Sequence, residues 1–143
     1  MTLSPGAGER SVSPAPWATC TITKVRAYTI LLVEDDFDVR EALVETLREL
    51  GHSVDCAADG EQALAYLRGG RRPGLILLDL MMPRMSGWEL LEHLGRDRAL
   101  ASIPVCVVSA SGASLPSGAQ TMLSKPFDIQ RLLDVVARHA GPP

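Results

Sequence analysis

With 143 residues, 46% of them apolar and 22% charged, and a formal net charge of −3, the chain is sized for one domain with a single core. It lacks the basic excess of a nucleic-acid binder. No apolar run approaches the roughly 18 residues of a membrane span, and the N-terminus lacks the charged and apolar blocks of a secretory signal, so a cytoplasmic protein without membrane or nucleic-acid contacts is expected.

In chain order, residues 1–27 are rich in Pro, Gly, Ser and Thr without helical period and read as a flexible extension, although the alternation in "TCTITKV" also fits a short edge strand. Regular patterning starts at Tyr28. "TILLV" (29–33) is a continuous apolar strand, followed by helical spacing at Val39, Leu43, Leu47 and Leu50 that closes at Gly51. "HSVDCA" (52–57) is a second strand. Asp59 and Gln62 supply a cap and its partner for a helix through Ala63, Leu64 and Leu67, closed by Gly69 and Gly70. "GLILL" (74–78) is the third strand. Ser86 and Glu89 have capping-box spacing ahead of Leu90, Leu91 and Leu94. "IPVCVV" (103–108) and "TML" (121–123) complete five strands, and a last helix carries Ile129, Leu132, Leu133 and Val136 before a short tail at 141–143. Strands alternating with helices, mostly as unbroken apolar runs, specify a doubly wound α/β fold with a five-stranded parallel sheet covered on both faces. The cysteines, Cys20, Cys56 and Cys106, are odd in number. Cys56 and Cys106 fall in strand-like runs and read as buried thiols rather than disulfide or metal ligands.

Ligands of open α/β sheets bind at the carboxyl ends of the strands. The first strand here ends in Glu34, Asp35 and Asp36, the third in Asp79, the fourth in Ser109 and the fifth in Ser124 and Lys125. Carboxylates brought together at one edge raise one another's pKa unless a cation sits among them. An all-oxygen set with few protein donors suits Mg²⁺, and a hydroxyl with an ammonium opposite suits the oxygens of a phosphoryl group. The site therefore reads as Mg²⁺ plus phosphoryl, with Asp79 the candidate acceptor. The chain has two lysines, Lys24 and Lys125, against twelve arginines, so a compact point charge stands where arginine is otherwise the habit.

At "ILLVEDD" (30–36), "LILLDLMMPRMSG" (75–87), "PVCVVSA" (104–110) and "LSKPF" (123–127) the chain resembles the receiver domains of two-component response regulators. Four segments in register carry the resemblance, which covers residues 28–140. It implies the flavodoxin-like strand order 2-1-3-4-5, known from the chemotaxis receiver. It also implies that Asp79 accepts a phosphoryl group from a histidine kinase or phosphotransfer protein. Glu34, Asp35, Asp79 and the backbone carbonyl of Met81 would hold Mg²⁺. Ser109 would turn toward the phosphoryl group, Lys125 would pair with Asp79 or a phosphoryl oxygen, and the Lys125–Pro126 bond would be cis. Asp36 is expected to cap the first helix. Because nothing in these residues looks like an output domain, a stand-alone receiver of a phosphorelay is expected, with no substrate turnover beyond its own dephosphorylation, signalling through contact with a downstream protein or relaying phosphate.

Two other readings stand beside it. A degenerate receiver would keep the fold and act as a phosphate-independent interaction module. A hydrolase working through an aspartyl phosphate needs a second acid two residues after the nucleophile, where this chain has Met81, which transfers no proton. Neither G-x-x-x-x-G-K-[ST] nor G-x-G-x-x-G occurs, and His52, His93 and His139 lie off the signature segments and read as surface residues. The sequence departs from the family between Ser109 and Lys125, where Gly112, Pro116 and Gly118 leave room for about one helical turn. The fourth helix is therefore expected to be short or missing, and Met122 takes the place of the family's switch aromatic.

Overall fold

The computed structural model describes residues 29–110 and 114–140. The expected extension at 1–27, Cys20 and the tail at 141–143 lie outside them. Five strands, β1 (Thr29–Val33), β2 (Ser53–Ala57), β3 (Leu75–Asp79), β4 (Val105–Ala110) and β5 (Thr121–Lys125), form one parallel sheet in the order β2-β1-β3-β4-β5. The helices are α1 (Phe37–Glu49), α2 (Gly60–Arg68), α3 (Gly87–Gly95), the single turn α4 (Arg98–Ala101) and α5 (Ile129–Ala140). The expected fold and strand order are both present.

The strand runs are unbroken because each strand feeds two cores. Leu31, Val33, Ile76, Leu78, Val105 and Val107 face the helices α2 and α3 through Ala63, Leu64, Leu67, Leu90 and Leu94. Ile30, Leu32, Leu75, Leu77, Cys106 and Val108 face α1 and α5 through Val44, Leu47, Leu132, Val135 and Val136. A side-chain period of two over a sheet covered on both faces leaves the central strands β1 and β3 no position for a buried polar residue until they end, whereas edge strand β2 carries Asp55.

The caps fall where the sequence puts them. Asp36 accepts from the backbone N–H groups of Asp38 and Val39, Asp59 accepts from that of Gln62, and Ser86 and Glu89 close a reciprocal capping box. Four details differ from expectation. Val39 and Leu50 of the α1 stripe are exposed, and Val44 takes the buried place beside Leu47. In α5, Ile129 is exposed and Val135 is buried. Cys56 is exposed rather than buried, because β2 pairs only with β1 and its outer flank is open, whereas Cys106 on central β4 is fully buried. The turn α4, capped by Asp97 and anchored by Leu100, is too short to show a period in sequence.

Between β4 and β5, residues 114–120 contain no helix, as expected of the fourth crossover; they turn at Gly118, whose φ is 95°. Gln120 fixes the segment to the sheet, its backbone N–H donating to Val105 O at 2.9 Å while its side-chain oxygen accepts from Val105 N at 2.6 Å.

One glycine governs how α3 leaves the sheet. A Cβ at Gly87 would stand 2.7 Å from both Asp79 O and Leu80 Cα, while one at Gly95, at the other end of the helix, would meet nothing within 4 Å. Gly87→Ala should therefore destabilise the protein by roughly 1–3 kcal/mol, the range for overpacking. Gly95→Ala should be neutral or slightly stabilising. Paired thermal melts of the two variants check this.

Candidate phosphorylation site

The strand order sets β1, β3, β4 and β5 side by side, so their carboxyl ends share one edge. Glu34 and Asp35 follow β1, Asp79 ends β3, Ser109 lies in the last turn of β4 and Lys125 ends β5. Glu34, Asp79 and Ser109 are buried and Asp35 is exposed. One carboxylate oxygen from each of Glu34, Asp35 and Asp79 lies within 4.8 Å of the others. Lys125 Nζ stands 3.8 Å from both Glu34 Oε1 and Asp79 Oδ2. Met81 enters through its backbone, its N–H donating to Asp79 Oδ1 at 3.2 Å, while its side chain is exposed. Ser109 sits one residue beyond Val108, the β4 partner of Asp79. All the residues expected at the site are thus at one edge, and the Lys125–Pro126 bond is cis.

The floor of the site is apolar. A cavity of about 20 Å³, the size of one water, is lined by Glu34, Asp79 and Lys125 together with Val39, Leu43, Leu77, Val108, Phe127 and Leu132. Over such a floor, burial pushes the Glu34 carboxyl up to about 7, with the charge of Asp79 adding to the shift; the Asp36 N–H and Lys125 oppose it. Asp79 is also raised, again chiefly by burial, against the Met81 N–H and the Lys125 ammonium. One ammonium does not neutralise three carboxylates. The donor set is all oxygen, with no histidine or cysteine in it, and that chemistry fits Mg²⁺.

The model of the response regulator receiver domain matches residues 30–137. This chain belongs to that family. Among curated relatives of the receiver, the "DNA-binding dual master transcriptional regulator RpaA" of Synechocystis is 37% identical over 112 residues, covering 73% of this chain and 45% of the relative. The "Phosphate regulon transcriptional regulatory protein PhoB" of Pseudomonas aeruginosa is 37% identical over 123 residues, covering 80% of this chain and 53% of the relative. The chain spans about half the length of these relatives. Among solved structures, the chemotaxis response regulator CheY4 of Vibrio cholerae matches with a TM-score of 0.72 at 28% identity, over 79% of this chain and 98% of that one.

Around the receiver's acids stand residues that the sequence reading missed. Arg40, in the first turn of α1, donates from Nη1 to the carbonyls of Glu34 (2.8 Å) and Asp35 (3.4 Å) and lies over the Phe37 ring. It holds the backbone that carries both acids. Arg84 reaches from the loop after β3 to the buried Asp59. Nothing in the sequence signals this role: Arg84 sits in the loop with φ 63°, a backbone state that spacing does not reveal. No helix among the described residues is long and apolar enough to cross a membrane.

The raised Glu34 pKa makes stability depend on pH. Protonation is favoured in the folded state, so this group's contribution is fully present below its ordinary value of 4.5 and is lost as pH rises through about 7. Glu34→Gln does not titrate. Without divalent cations, its melting temperature should exceed that of the wild type by a margin that grows from pH 5 to pH 8. Added Mg²⁺ should shrink that margin by stabilising the wild type more than the variant, which loses one carboxylate of the cluster. Thermal melts across pH, with chelator and with Mg²⁺, check this.

Proposed function

We propose that this receiver takes a phosphoryl group onto Asp79 from a phosphohistidine of a histidine kinase or phosphotransfer protein, and that the acyl phosphate alters its contacts with a downstream protein. The observation that carries the reading is Asp79 itself, a buried strand-end carboxylate held between the Met81 N–H and the Lys125 ammonium beside two further acids.

In the transfer, a carboxylate oxygen of Asp79 attacks phosphorus. The P–N bond to the donor breaks, and its electron pair leaves with the imidazole, which takes up a proton. Glu34, Asp35, Asp79 and the Met81 carbonyl would hold Mg²⁺, which supplies positive charge for the phosphoryl oxygens. Lys125, 3.8 Å from Asp79 Oδ2, screens the carboxylate from Glu34 and is placed to pair with a phosphoryl oxygen once the acyl phosphate forms. The Ser109 hydroxyl is the second donor on that side. Its rotation toward the phosphoryl group would pull on β4 and on the Ser109–Ser124 register with β5.

The chemistry is stoichiometric, with self-dephosphorylation the only turnover. The residue two beyond Asp79 is Met81, whose exposed thioether transfers no proton, so a phosphatase cycle lacks its acid. Hydrolysis of a chromogenic phosphate ester should be absent.

Incubation with acetyl phosphate and Mg²⁺ followed by intact-mass measurement tests the assignment. Wild type should gain one phosphoryl group, Asp79→Ala none, and Asp35→Asn should load at least about tenfold more slowly while keeping its fold. Labelling that persists in Asp79→Ala would refute the acceptor. No labelling of the wild type would favour a phosphate-independent interaction module.

A further inference from the structure

The loop from Asp79 to Gly87 carries the proposed acceptor and Met81. Leu80 anchors its start in the core, but from Met81 to Ser86 no side chain is more than partly buried, Met82 and Met85 only packing against the core's edge. Besides the Met81 N–H bond to Asp79 and the Ser86 N–H bond to Glu89, two backbone–backbone bonds hold it. Gly87 N donates to Leu80 O at 3.0 Å, and Gly60 N, at the start of α2, donates to Met85 O at 3.3 Å, with Gly60 pressed so close that a Cβ would stand 2.7 Å from that oxygen. The third tether is a side chain. Arg84 brings Nε and Nη2 each to 2.9 Å from Asp59 Oδ2.

Several features set this pair apart from a surface ion pair. Asp59 is 2% exposed, and its other oxygen already accepts from Gln62 N at 2.9 Å as the α2 cap, so both oxygens are engaged. The Gln62 N–H and Arg84 hold its carboxyl below the usual carboxylate range, the charged form that both contacts need. Arg84 itself adopts φ 63°, a left-handed backbone that side chains other than Asn, Asp and Gly seldom take, and its guanidinium still reaches 25 residues back along the chain. Capping α2 needs Asp59 but no arginine. An arginine in a strained position, three residues after Met81, is a tether for the loop.

Building on the site reading given above, we propose that the Asp59–Arg84 pair is the positioning element of the phosphorylation site. It pins the β3–α3 loop to the start of α2, which holds Met81 where its N–H meets Asp79 Oδ1 and its carbonyl can complete the cation's ligands. Neither residue touches the phosphoryl group or the cation. Both act through Met81, as outer partners of metal ligands do elsewhere.

Two single variants and their combination test this on the full chain. Asp59→Asn keeps a good helix cap and removes the charge pair. Arg84→Gly removes the pair and relieves the left-handed strain. Three quantities are read: the melting temperature, the Mg²⁺ dissociation constant from amide-shift titration, and metal-free hydrogen exchange at Met81. Each single variant should weaken Mg²⁺ binding by roughly tenfold and speed exchange at Met81, and the double variant should weaken it no further than either single one. A lowered melting temperature with an Mg²⁺ constant within about twofold of wild type would make the pair structural only and overturn the proposal. Wild type that shows no Mg²⁺-dependent shift at Met81, Glu34 or Asp35 would overturn the site reading itself, and the positioning role with it.

Discussion

Three carboxylates meet over an apolar floor at the edge of this sheet, and among the described residues a single ammonium, that of Lys125, stands with them. Much of the remaining structure follows from keeping that repulsive arrangement in place. The two cores hold it from below, because strands packed on both faces cannot shift to let the acids separate. Arg40 fixes the chain that bears Glu34 and Asp35, and the close approach of Gly87 to the Asp79 carbonyl fixes the chain that bears the acceptor. The site is therefore destabilising on its own and held by its surroundings, as is common where function needs groups that folding would rather separate.

The same crowding links metal, phosphoryl group and signal. Glu34 and Asp79 keep raised pKa values only while no added charge relieves them. A divalent cation held there would lower that penalty and let both ionise. A phosphoryl group on Asp79, as proposed, would restore negative charge, with the Lys125 ammonium and the Ser109 hydroxyl as its donors on the β4–β5 side. Those strands lead to the crossover, whose described residues 114–120 carry no helix; Leu115 within them and Trp88 beside them are about half exposed. Gln120 ties this segment to the sheet through its two bonds with Val105.

Fold and site were largely legible in the sequence, for a physical reason. Strands buried on both faces must be apolar until they end, so Asp79 after "LILL" and Glu34 after "TILLV" stood out as edge residues, and parallel order then brought the edges together. The caps at Asp36, Asp59 and Ser86 were legible because they act within three residues. What escaped depends on tertiary placement. Val39 and Ile129 keep the helical period but lie at the first turns of their helices, beyond the sheet's cover. Cys56 has a strand's neighbours but an edge strand's exposure. The single turn of α4 has no room for periodicity. The partners Asp59 and Arg84 lie 25 residues apart with no motif linking them.

Carboxylate pKa values raised by burial and by one another's charge, and relieved by a cation, are read directly by the titration of the Glu34 carboxyl carbon in NMR. Without divalent cations the midpoint should lie near 7, and with saturating Mg²⁺ it should fall to or below the ordinary carboxylate value of 4.5. A midpoint at the ordinary value in the metal-free protein, unchanged by Mg²⁺, would contradict both the raised value and its relief.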